Sequence, residues 1–276
     1  AGVGGRRRAA RAEGGPPPKS ELSEAARRLS EEEKRRVDEL FRSAISAETV
    51  EQEEAFWTQL VDNYGSVPEV LIRSACNRGN SRLRQGKFEE ALADYNRAIE
   101  ISPYEVDPFL NRGIAYEALG RLEEALTDYD RVLRLNPSDP AGWNNRGNAL
   151  LGLRRFREAS DSFKSALGIS GPQKYPNAAL NLNLAEYELG NDAAVLQDLQ
   201  SLLRRFRDDF PDARAAYALI LWEQGDRVAA EQEWDRATAA DPRYRQLDWI
   251  TRFRRWPPRL TGVLQRFSES AKVKVK

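Results

Sequence analysis

Apolar and small residues recur every three or four positions over residues 106–139, which is the spacing of one face of an α-helix. In chain order they are Phe109, Gly113, Tyr116, Ala125, Tyr129 and Val132. Gly120 separates two such runs at a place where a helix needs a left-handed residue to end, and Pro137 closes the second run. The pattern predicts two short amphipathic helices joined by a tight turn. Such a pair cannot bury its apolar faces alone, so it needs similar pairs stacked beside it.

The same landmarks recur at a shift of 34 residues in both directions. Toward the N-terminus they are Gly79, Gly86, Ala91, Tyr95 and Pro103, and toward the C-terminus they are Trp143, Gly147, Ala159 and Phe163. This spacing, the small and large positions and the closing proline resemble the tetratricopeptide repeat (TPR) family. The resemblance implies an all-α fold: a TPR α-solenoid, which is a right-handed superhelix of antiparallel helix pairs, with N- and C-terminal capping helices. It also implies a concave groove that binds a segment of a partner protein.

The landmarks divide the chain into five regions. We expect, in order, a disordered leader remnant (1–21), a helical pair that is a degenerate repeat or cap (22–71), a TPR array (72–244), a C-terminal capping helix segment (245–268) and a disordered tail (269–276). The repeats of the array are expected at about 72–105, 106–139, 140–173, 176–210 and 211–244.

Local signals refine these regions. Ser30 opens a candidate capping box at the start of a long helix. In the third repeat, Arg154 stands where the other repeats have the turn glycine. In each clear repeat we expect a glycine of the first helix to face an alanine of the second, so that the two backbones approach closely. The last helix is expected over about 244–256, and Pro257 and Pro258 are expected to break it. One or two further helical turns are expected over Leu260–Phe267.

The composition argues against several classes of protein. The formal net charge is zero, with 43 basic and 43 acidic residues, whereas a general nucleic-acid binder needs a basic excess. A helical-repeat RNA-binding factor in organelle RNA metabolism is the alternative function. There is no histidine and one cysteine, which removes the usual general base and the commonest zinc ligands. We therefore predict a non-enzymatic protein without a cofactor or a metal.

The resemblance places ligand contacts on exposed positions of the first helix of each repeat. The candidate partner-binding residues are Arg73, Asn77, Asn80, Arg84, Leu110, Asn111, Ile114, Glu117, Asn144, Asn145, Asn148, Leu180, Asn181, Leu184 and Tyr187. Asparagine recurs at one equivalent place in four repeats, and a side-chain amide both donates and accepts hydrogen bonds. Such a ladder can pair with a partner's backbone irrespective of its sequence. The alternative is that the amides bond within the scaffold.

TPR co-chaperones hold the C-terminal carboxylates of heat-shock chaperones with a clamp of lysine, asparagine and arginine side chains. Only Asn80 and Asn111 match that clamp, and Cys76, Ala141 and Asn145 stand where its cations would be. Without those cations a terminal carboxylate has no charge-assisted partner. A co-chaperone adaptor role is therefore disfavoured.

Arg78, Arg112 and Arg146 occupy equivalent positions, each after an asparagine and before a glycine. We interpret them as scaffold residues whose stems pack between helices and whose heads reach water or a carboxylate, in preference to a row of ligand contacts. Cys76 is interpreted as a small apolar residue rather than a redox centre. The basic and aromatic stretch Arg252–Arg266 suits peripheral contact with an anionic membrane surface, although the arginines of a capping helix would give the same pattern.

The arginine-rich, acid-poor N-terminus resembles the end of an organelle transit peptide. The chain has no methionine, even at position 1, so we expect either removal of a leader or a trimmed segment. The repeated Asn-Arg-Gly triplets resemble those of plant plastid and cyanobacterial TPR proteins. These resemblances imply a plastid location, in the chloroplast stroma or on the stromal face of the thylakoid, and otherwise a cytoplasmic one. The expected role is assistance in the assembly or stability of a multisubunit photosynthetic complex, through a protein partner that the sequence does not name.

Overall fold

The computed structural model describes residues 24–206, 210–250, 254 and 256–274. The predicted leader remnant, 1–21, lies outside the described residues. Within the described residues the chain forms helices joined by short turns, with no strand. The predicted all-α class is confirmed.

The chain divides into two compact units, Ala1–Gly120 and Arg121–Lys276. The helices of the first unit are α1 (Glu24–Arg28), α2 (Glu31–Ile45), α3 (Val50–Tyr64), α4 (Pro68–Arg84), α5 (Phe88–Ile101) and α6 (Val106–Ala118). The second unit contains α7 (Leu122–Leu135), α8 (Pro140–Gly152), α9 (Phe156–Lys174), α10 (Pro176–Glu188), α11 (Asp192–Phe206), α12 (Pro211–Glu223), α13 (Arg227–Ala240), a 3-10 turn (Pro242–Arg245), α14 (Leu247–Trp249) and α15 (Pro258–Lys274).

The start of α2 is a capping box, as the sequence predicts. The backbone N–H of Glu33 donates to the Ser30 hydroxyl at 3.2 Å, and the backbone N–H of Ser30 donates to the Glu33 carboxylate at 2.7 Å. The box satisfies two backbone donors that a helix start leaves without partners. The short helix α1 precedes it as a separate element, since α1 ends at Arg28.

In five helix pairs, the turn that joins the two helices of the pair has one residue with a left-handed backbone conformation, at an equivalent place. The φ angles are +74° at Gly86, +76° at Gly120, +60° at Arg154, +85° at Gly190 and +93° at Gly225. The prediction that Arg154 takes the place of a turn glycine is confirmed.

Close packing of the paired helices depends on a glycine and an aromatic ring. A Cβ at Gly79 would lie 2.7 Å from Cε1 of Tyr95, and a Cβ at Gly147 would lie 2.6 Å from Cε1 of Phe163. Both rings are fully buried. The expected alanine is thus not the nearest neighbour of either glycine. The glycine is needed because the ring of the second helix lies across it.

The C-terminal segment differs from the prediction. Instead of one helix over 244–256, a 3-10 turn and the short α14 are followed by a 17-residue helix that begins at Pro258 and ends at Lys274. The proline at the first helical position starts the helix rather than ending one, because its fixed φ suits the first turn and its missing N–H would have no partner there. Residues 269–274, expected in a disordered tail, are helical.

The largest apolar core belongs to the second unit. It joins α10, α11, α12 and α15 through buried residues that include Leu184, Leu199, Leu219 and Leu264. In the first unit, a smaller core between α2 and α3 contains Leu40 and Trp57, among others. The two cores lie next to different surfaces. The surface of the first unit has an open cavity, and that of the second unit is covered by α15.

Candidate functional site

The first unit has a cavity of about 710 Å³ on the side formed by its first helices. Helix α4 contributes the largest group of lining residues, which are Ile72, Arg73, Cys76, Asn77, Asn80 and Arg84. Helix α6 and its N-terminal cap add Glu105, Asp107, Pro108 and Asn111, and the α2–α3 pair adds Ala44, Ile45, Glu53 and Trp57. The cavity therefore lies between α4, α6 and the α2–α3 pair, and most of its lining comes from the first helices of the pairs.

Five of the predicted partner-binding residues line this cavity: Arg73, Asn77, Asn80, Arg84 and Asn111. The other predicted residues of α6, which are Leu110, Ile114 and Glu117, are half-buried and do not line it. Asn144, Asn145 and Asn148 lie half-buried on α8, in the second unit. For these residues a role in partner binding stays a prediction.

One end of the cavity holds a paired set of charges. Arg84 forms an ion pair with Glu53, whose carboxylate also accepts a hydrogen bond from Nε1 of Trp57 at 3.3 Å. Burial by itself would raise the pKa of Glu53, but the hydrogen bonds from Arg84 and Trp57 contribute to a net lowering of that pKa. The Glu53 carboxylate is charged at neutral pH and balances the charge of Arg84.

The α6 side of the cavity is acidic. Glu105 and Asp107 are exposed, and neither carboxylate is in an ion pair within the described part of the chain. Burial, and then the charges of Asp107, Asp94 and Glu105, raise the pKa of the Cys76 thiol to about 12. The thiol is protonated at neutral pH, which supports the interpretation of Cys76 as a small apolar residue rather than a reactive one.

The asparagines divide into two groups. The Tyr95 hydroxyl donates to Oδ1 of Asn80 at 2.7 Å, and Nδ2 of Asn181 donates to Oδ1 of Asn148 at 3.0 Å. These amides bond within the scaffold. Asn80 also lines the cavity, but its Oδ1 is engaged by Tyr95. Asn77 and Asn111 line the cavity too and are half-buried.

The three equivalent arginines belong to the scaffold, which confirms the interpretation made from the sequence. Arg78 binds the Asp94 carboxylate with two nitrogens, at 3.0 and 2.6 Å. Arg146 binds Asp130 at 2.8 Å, and Arg112 donates to Oδ1 of Asn96 at 2.6 Å. In each case the partner lies 16 residues away, on a neighbouring helix.

The fourth repeat does not offer the groove that the sequence predicts. Leu180, Leu184 and Tyr187 are 4%, 1% and 0% exposed, so they cannot meet a partner in this structure. They belong to the apolar core that includes α15. The prediction that these positions are exposed is wrong: all three pack into this core, and Arg259 of α15 lies over the ring of Tyr187.

The basic C-terminal stretch is used within the second unit. Arg254 pairs with Asp212, Arg259 with Asp192 at 2.6 Å, and Arg266 with Glu223 at 2.9 Å. Arg252, Phe253 and Arg255 lie outside the described residues. The ion pairs favour the capping-helix interpretation, and membrane contact stays a prediction.

The sequence pattern does not indicate several residues of the cavity or the role of Arg259 in α15. Ile45, Trp57, Glu105 and Pro108 line the cavity although they lie outside the predicted set. The sequence places Arg259 in a basic stretch, whereas in the structure its ion pair with Asp192 holds α15 in place. The available signal was the spacing of Leu260, Val263, Leu264 and Phe267, which is that of one helix face.

Two absences complete the description of the site. In residues 24–206 and the later described segments, no group of histidine, cysteine, aspartate or glutamate is arranged to hold a metal ion. Over the same part of the chain, no helix combines the length and apolar character that crossing a membrane requires.

Two family models match the chain. One is described as a TPR repeat and matches residues 79–120, and the other is described as a tetratricopeptide repeat and matches residues 106–139. Among curated proteins, sperm-associated antigen 1 of Mus musculus is 35% identical over 81 residues. That match covers 29% of this chain and 9% of the length of the mouse protein.

Solved structures resemble the chain over a larger share. A tetratricopeptide repeat protein from Parabacteroides merdae has a TM-score of 0.66 at 20% identity, and the match covers 86% of this chain and 93% of that one. YrrB, described as a TPR protein with an unusual peptide-binding site, has a TM-score of 0.54 at 17% identity, with 67% and 92% covered. At these identities the likeness concerns the fold alone.

Proposed function

We propose that this chain, which is a tetratricopeptide repeat protein with an all-α solenoid fold, is a non-enzymatic scaffold that holds a partner protein in the cavity of its first unit. The observation that carries the proposal is the open cavity of about 710 Å³ between α2, α4 and α6. A peptide-binding site in the similarly folded YrrB is consistent with this role. The corresponding side of the fourth repeat is covered, so the first unit offers the open surface.

The chemistry of the cavity suits an extended segment of a protein. The amides of Asn77 and Asn111 can each donate to a carbonyl and accept from an N–H, so they can pair with a peptide backbone of any sequence. Ile45 is 70% exposed at the edge of the cavity and offers an apolar contact. Backbone pairing then provides affinity, and the side-chain contacts provide selectivity.

The charges of the cavity favour a partner with a basic side chain. Glu53 balances the charge of Arg84. The other charged residues of the lining are Arg73, Glu105 and Asp107, and the two carboxylates are in no ion pair among the described residues. The lining therefore has an excess of one negative charge. A lysine or arginine of the partner would form a charge-assisted hydrogen bond with either carboxylate. A terminal carboxylate, in contrast, would meet repulsion on the α6 side.

The test begins with affinity purification from the native source and identification of the partner by mass spectrometry. Binding of that partner is then measured for the full chain and for Asp107→Lys and Asn111→Ala. We expect Asp107→Lys to weaken binding at least about tenfold, since loss of a charge-assisted hydrogen bond costs roughly 1.5–3 kcal/mol. Asn111→Ala removes neutral hydrogen bonds, each worth roughly 0.5–1.5 kcal/mol, and should weaken binding about two- to tenfold. Raising the salt concentration should weaken binding by the wild type more than by Asp107→Lys.

A matched control is Glu100→Lys, which makes the same charge change at an exposed position of α5 outside the cavity. It should leave the affinity unchanged. Equal affinities for the wild type, Asp107→Lys and Asn111→Ala, with all three folded by circular dichroism, would remove this cavity as the binding site.

We further propose that the partner belongs to a multisubunit photosynthetic complex of the plastid, whose assembly or stability the scaffold assists. The support is the arginine-rich N-terminal segment and the repeated Asn-Arg-Gly triplets. Fractionation of the native source should find the protein in the chloroplast stroma or on the stromal face of the thylakoid. Recovery in cytosolic fractions alone would contradict the proposal.

A further inference from the structure

In the fourth and fifth helix pairs, the side formed by the first helices, α10 and α12, is covered by the chain's own C-terminal helix. Tyr187 and Glu188 end α10, and Trp222 and Glu223 occupy the equivalent places at the end of α12. Helix α15 packs against both α10 and α12. These are first helices of their pairs, as are α4 and α6, which line the open cavity of the first unit.

The apolar contact is that of an amphipathic helix in a groove. Leu260, Val263, Leu264 and Phe267 lie on one face of α15 and are 0%, 0%, 1% and 7% exposed. The Phe267 ring packs edge-on against Trp222, with centroids 5.9 Å apart. The spacing of these four positions, i, i+3, i+4 and i+7, is the pattern of anchors by which helices bind grooves.

One arginine supplies the polar anchor of α15. The Arg259 guanidinium binds both carboxylate oxygens of Asp192, each at 2.6 Å, and reaches Glu223 at 3.1 Å. Its carbon lies 3.8 Å from the centroid of the Tyr187 ring. A bidentate pair with a stacked aromatic ring fixes direction as well as position.

The start of α15 is capped by a residue of another helix. The backbone N–H of Arg259 donates to the Glu188 carboxylate at 2.7 Å. A helix start has backbone donors without intrahelical partners, and a negative side chain there is favourable. Glu188 therefore recognises the beginning of a helix rather than a particular side chain.

From this arrangement we infer that the face of α10 and α12 that α15 contacts is a docking surface for an amphipathic helix, and that α15 is its internal ligand. The surface selects an N-terminal arginine followed directly by an apolar stripe. While α15 is docked, the face is closed to any partner helix of the same pattern. This inference is independent of the role proposed for the first unit, because it uses only residues of the second.

The test uses the full chain and a fluorescein-labelled peptide with the sequence of residues 256–274. Arg259→Glu places a negative charge beside Asp192, Glu188 and Glu223 and should release α15. Fluorescence anisotropy should show that the peptide binds the Arg259→Glu chain at least tenfold more tightly than the wild type. Hydrogen exchange should become faster in α15 and stay unchanged in α4, α5 and α6.

Two controls make the result specific. Arg236→Glu makes the same charge change at a residue of α13 whose side chain is 61% exposed and whose ion pair is with Glu233 of its own helix. It should leave α15 docked and bind the peptide as the wild type does. A peptide that itself carries glutamate at the place of Arg259 should not bind any form of the chain.

The inference is overturned if the folded Arg259→Glu chain keeps the wild-type protection of α15, or if it exposes α15 and still binds the peptide no better than the wild type. Should Arg259→Glu fail to fold, the same measurements on Arg259→Gln, which removes the ion pairs without adding a charge, decide the matter by the same two criteria.

Discussion

At the residue scale, Arg154 occupies a turn position at which four other helix pairs have glycine. Its φ is +60°, and the equivalent glycines have φ between +74° and +93°. A side chain in this left-handed region costs about 1–2 kcal/mol because Cβ approaches the following carbonyl oxygen. The chain tolerates this cost because the helices on both sides of the turn are held by packing.

Replacing Arg154 with glycine should therefore stabilise the chain. The relief of about 1–2 kcal/mol is partly offset by the larger entropy that glycine loses on folding, which leaves a net gain of roughly 0.5–1 kcal/mol. Urea unfolding of the second unit, followed by circular dichroism, measures the change. Gly190→Arg is the reciprocal control and should be destabilising. A lower stability of Arg154→Gly would show that the arginine side chain makes a compensating contact.

At the element scale, a charge cluster ties α3, α4 and α5 together. The Asp94 carboxylate is 3% exposed and accepts hydrogen bonds from Arg78 and, at 2.9 Å, from Arg82. Arg82 also binds Glu54 at 2.8 Å, and Glu54 binds Lys87 at 2.8 Å. Glu54 of α3 is therefore paired with Arg82 of α4, and both arginines of α4 are paired with Asp94 of α5.

Asp94→Ala should destabilise the first unit by about 3–5 kcal/mol, because it leaves the buried Arg78 guanidinium without its carboxylate. The measurement is urea unfolding followed by the fluorescence of the buried Trp57. The double variant Asp94→Leu with Arg78→Leu removes both charges and should recover a large part of that loss. A loss below about 1 kcal/mol for Asp94→Ala would show that water replaces the missing carboxylate.

At the scale of the whole molecule, the two units contain carboxyl groups with opposite pKa shifts. In the first, burial would raise the pKa of Glu54, but hydrogen bonds from Lys87, Arg82 and Gln85 outweigh it and lower the pKa to about 2. In the second, burial raises the pKa of Asp212 to about 6, and the charge of Arg254 offsets this only in part. Glu54 and Asp212 should therefore contribute to the stability of their units with opposite dependences on pH.

The signs follow from linkage between protonation and folding. The contribution of Glu54 to stability is present above its unfolded pKa, near 4.5, and is lost as the pH falls toward 2. Asp212 folds more favourably when protonated, so its contribution is present below about pH 4 and is lost as the pH rises through 6. The free energy of unfolding that Asp212 contributes, and that is lost over this pH range, has an upper limit of about 3 kcal/mol, because one pKa unit corresponds to about 1.4 kcal/mol.

Urea unfolding between pH 3 and 8 should show these effects in single variants. In Asp212→Asn the second unit should lose less stability than the wild type does between pH 4 and 7. In Glu54→Gln the first unit should lose less stability than the wild type between pH 4.5 and 3. Parallel profiles for the wild type and Asp212→Asn would mean that Asp212 is ionised in the folded chain throughout this range.

Much of the fold could be predicted because its signals are local. The helix pairs follow from the spacing of residues such as Tyr95 and Tyr129, and the turns follow from Gly86, Gly120 and the substituted Arg154. The capping box at Ser30 is equally local. Each of these features depends on residues within one or two helical turns, so the sequence alone shows them.

The candidate site could be predicted only in part. The positions of Asn77 and Asn111 on the cavity follow from the helix period. The contributions of Ile45 and Trp57 could not be predicted, because they come from a helix pair without the repeat landmarks. The contact of Gly79 with the Tyr95 ring likewise depends on the angle at which two helices cross.

The sequence by itself determined that this protein is an array of helix pairs, where its turns lie and which residues could face a partner. Only the tertiary structure decided which of those faces is open. Tyr187 has the sequence position of a groove residue, yet it is fully buried beneath Arg259, which lies 72 residues further along the chain. Contacts over such separations depend on the complementary shape and charge of two surfaces that are built only when the chain has folded, so no local pattern announces them.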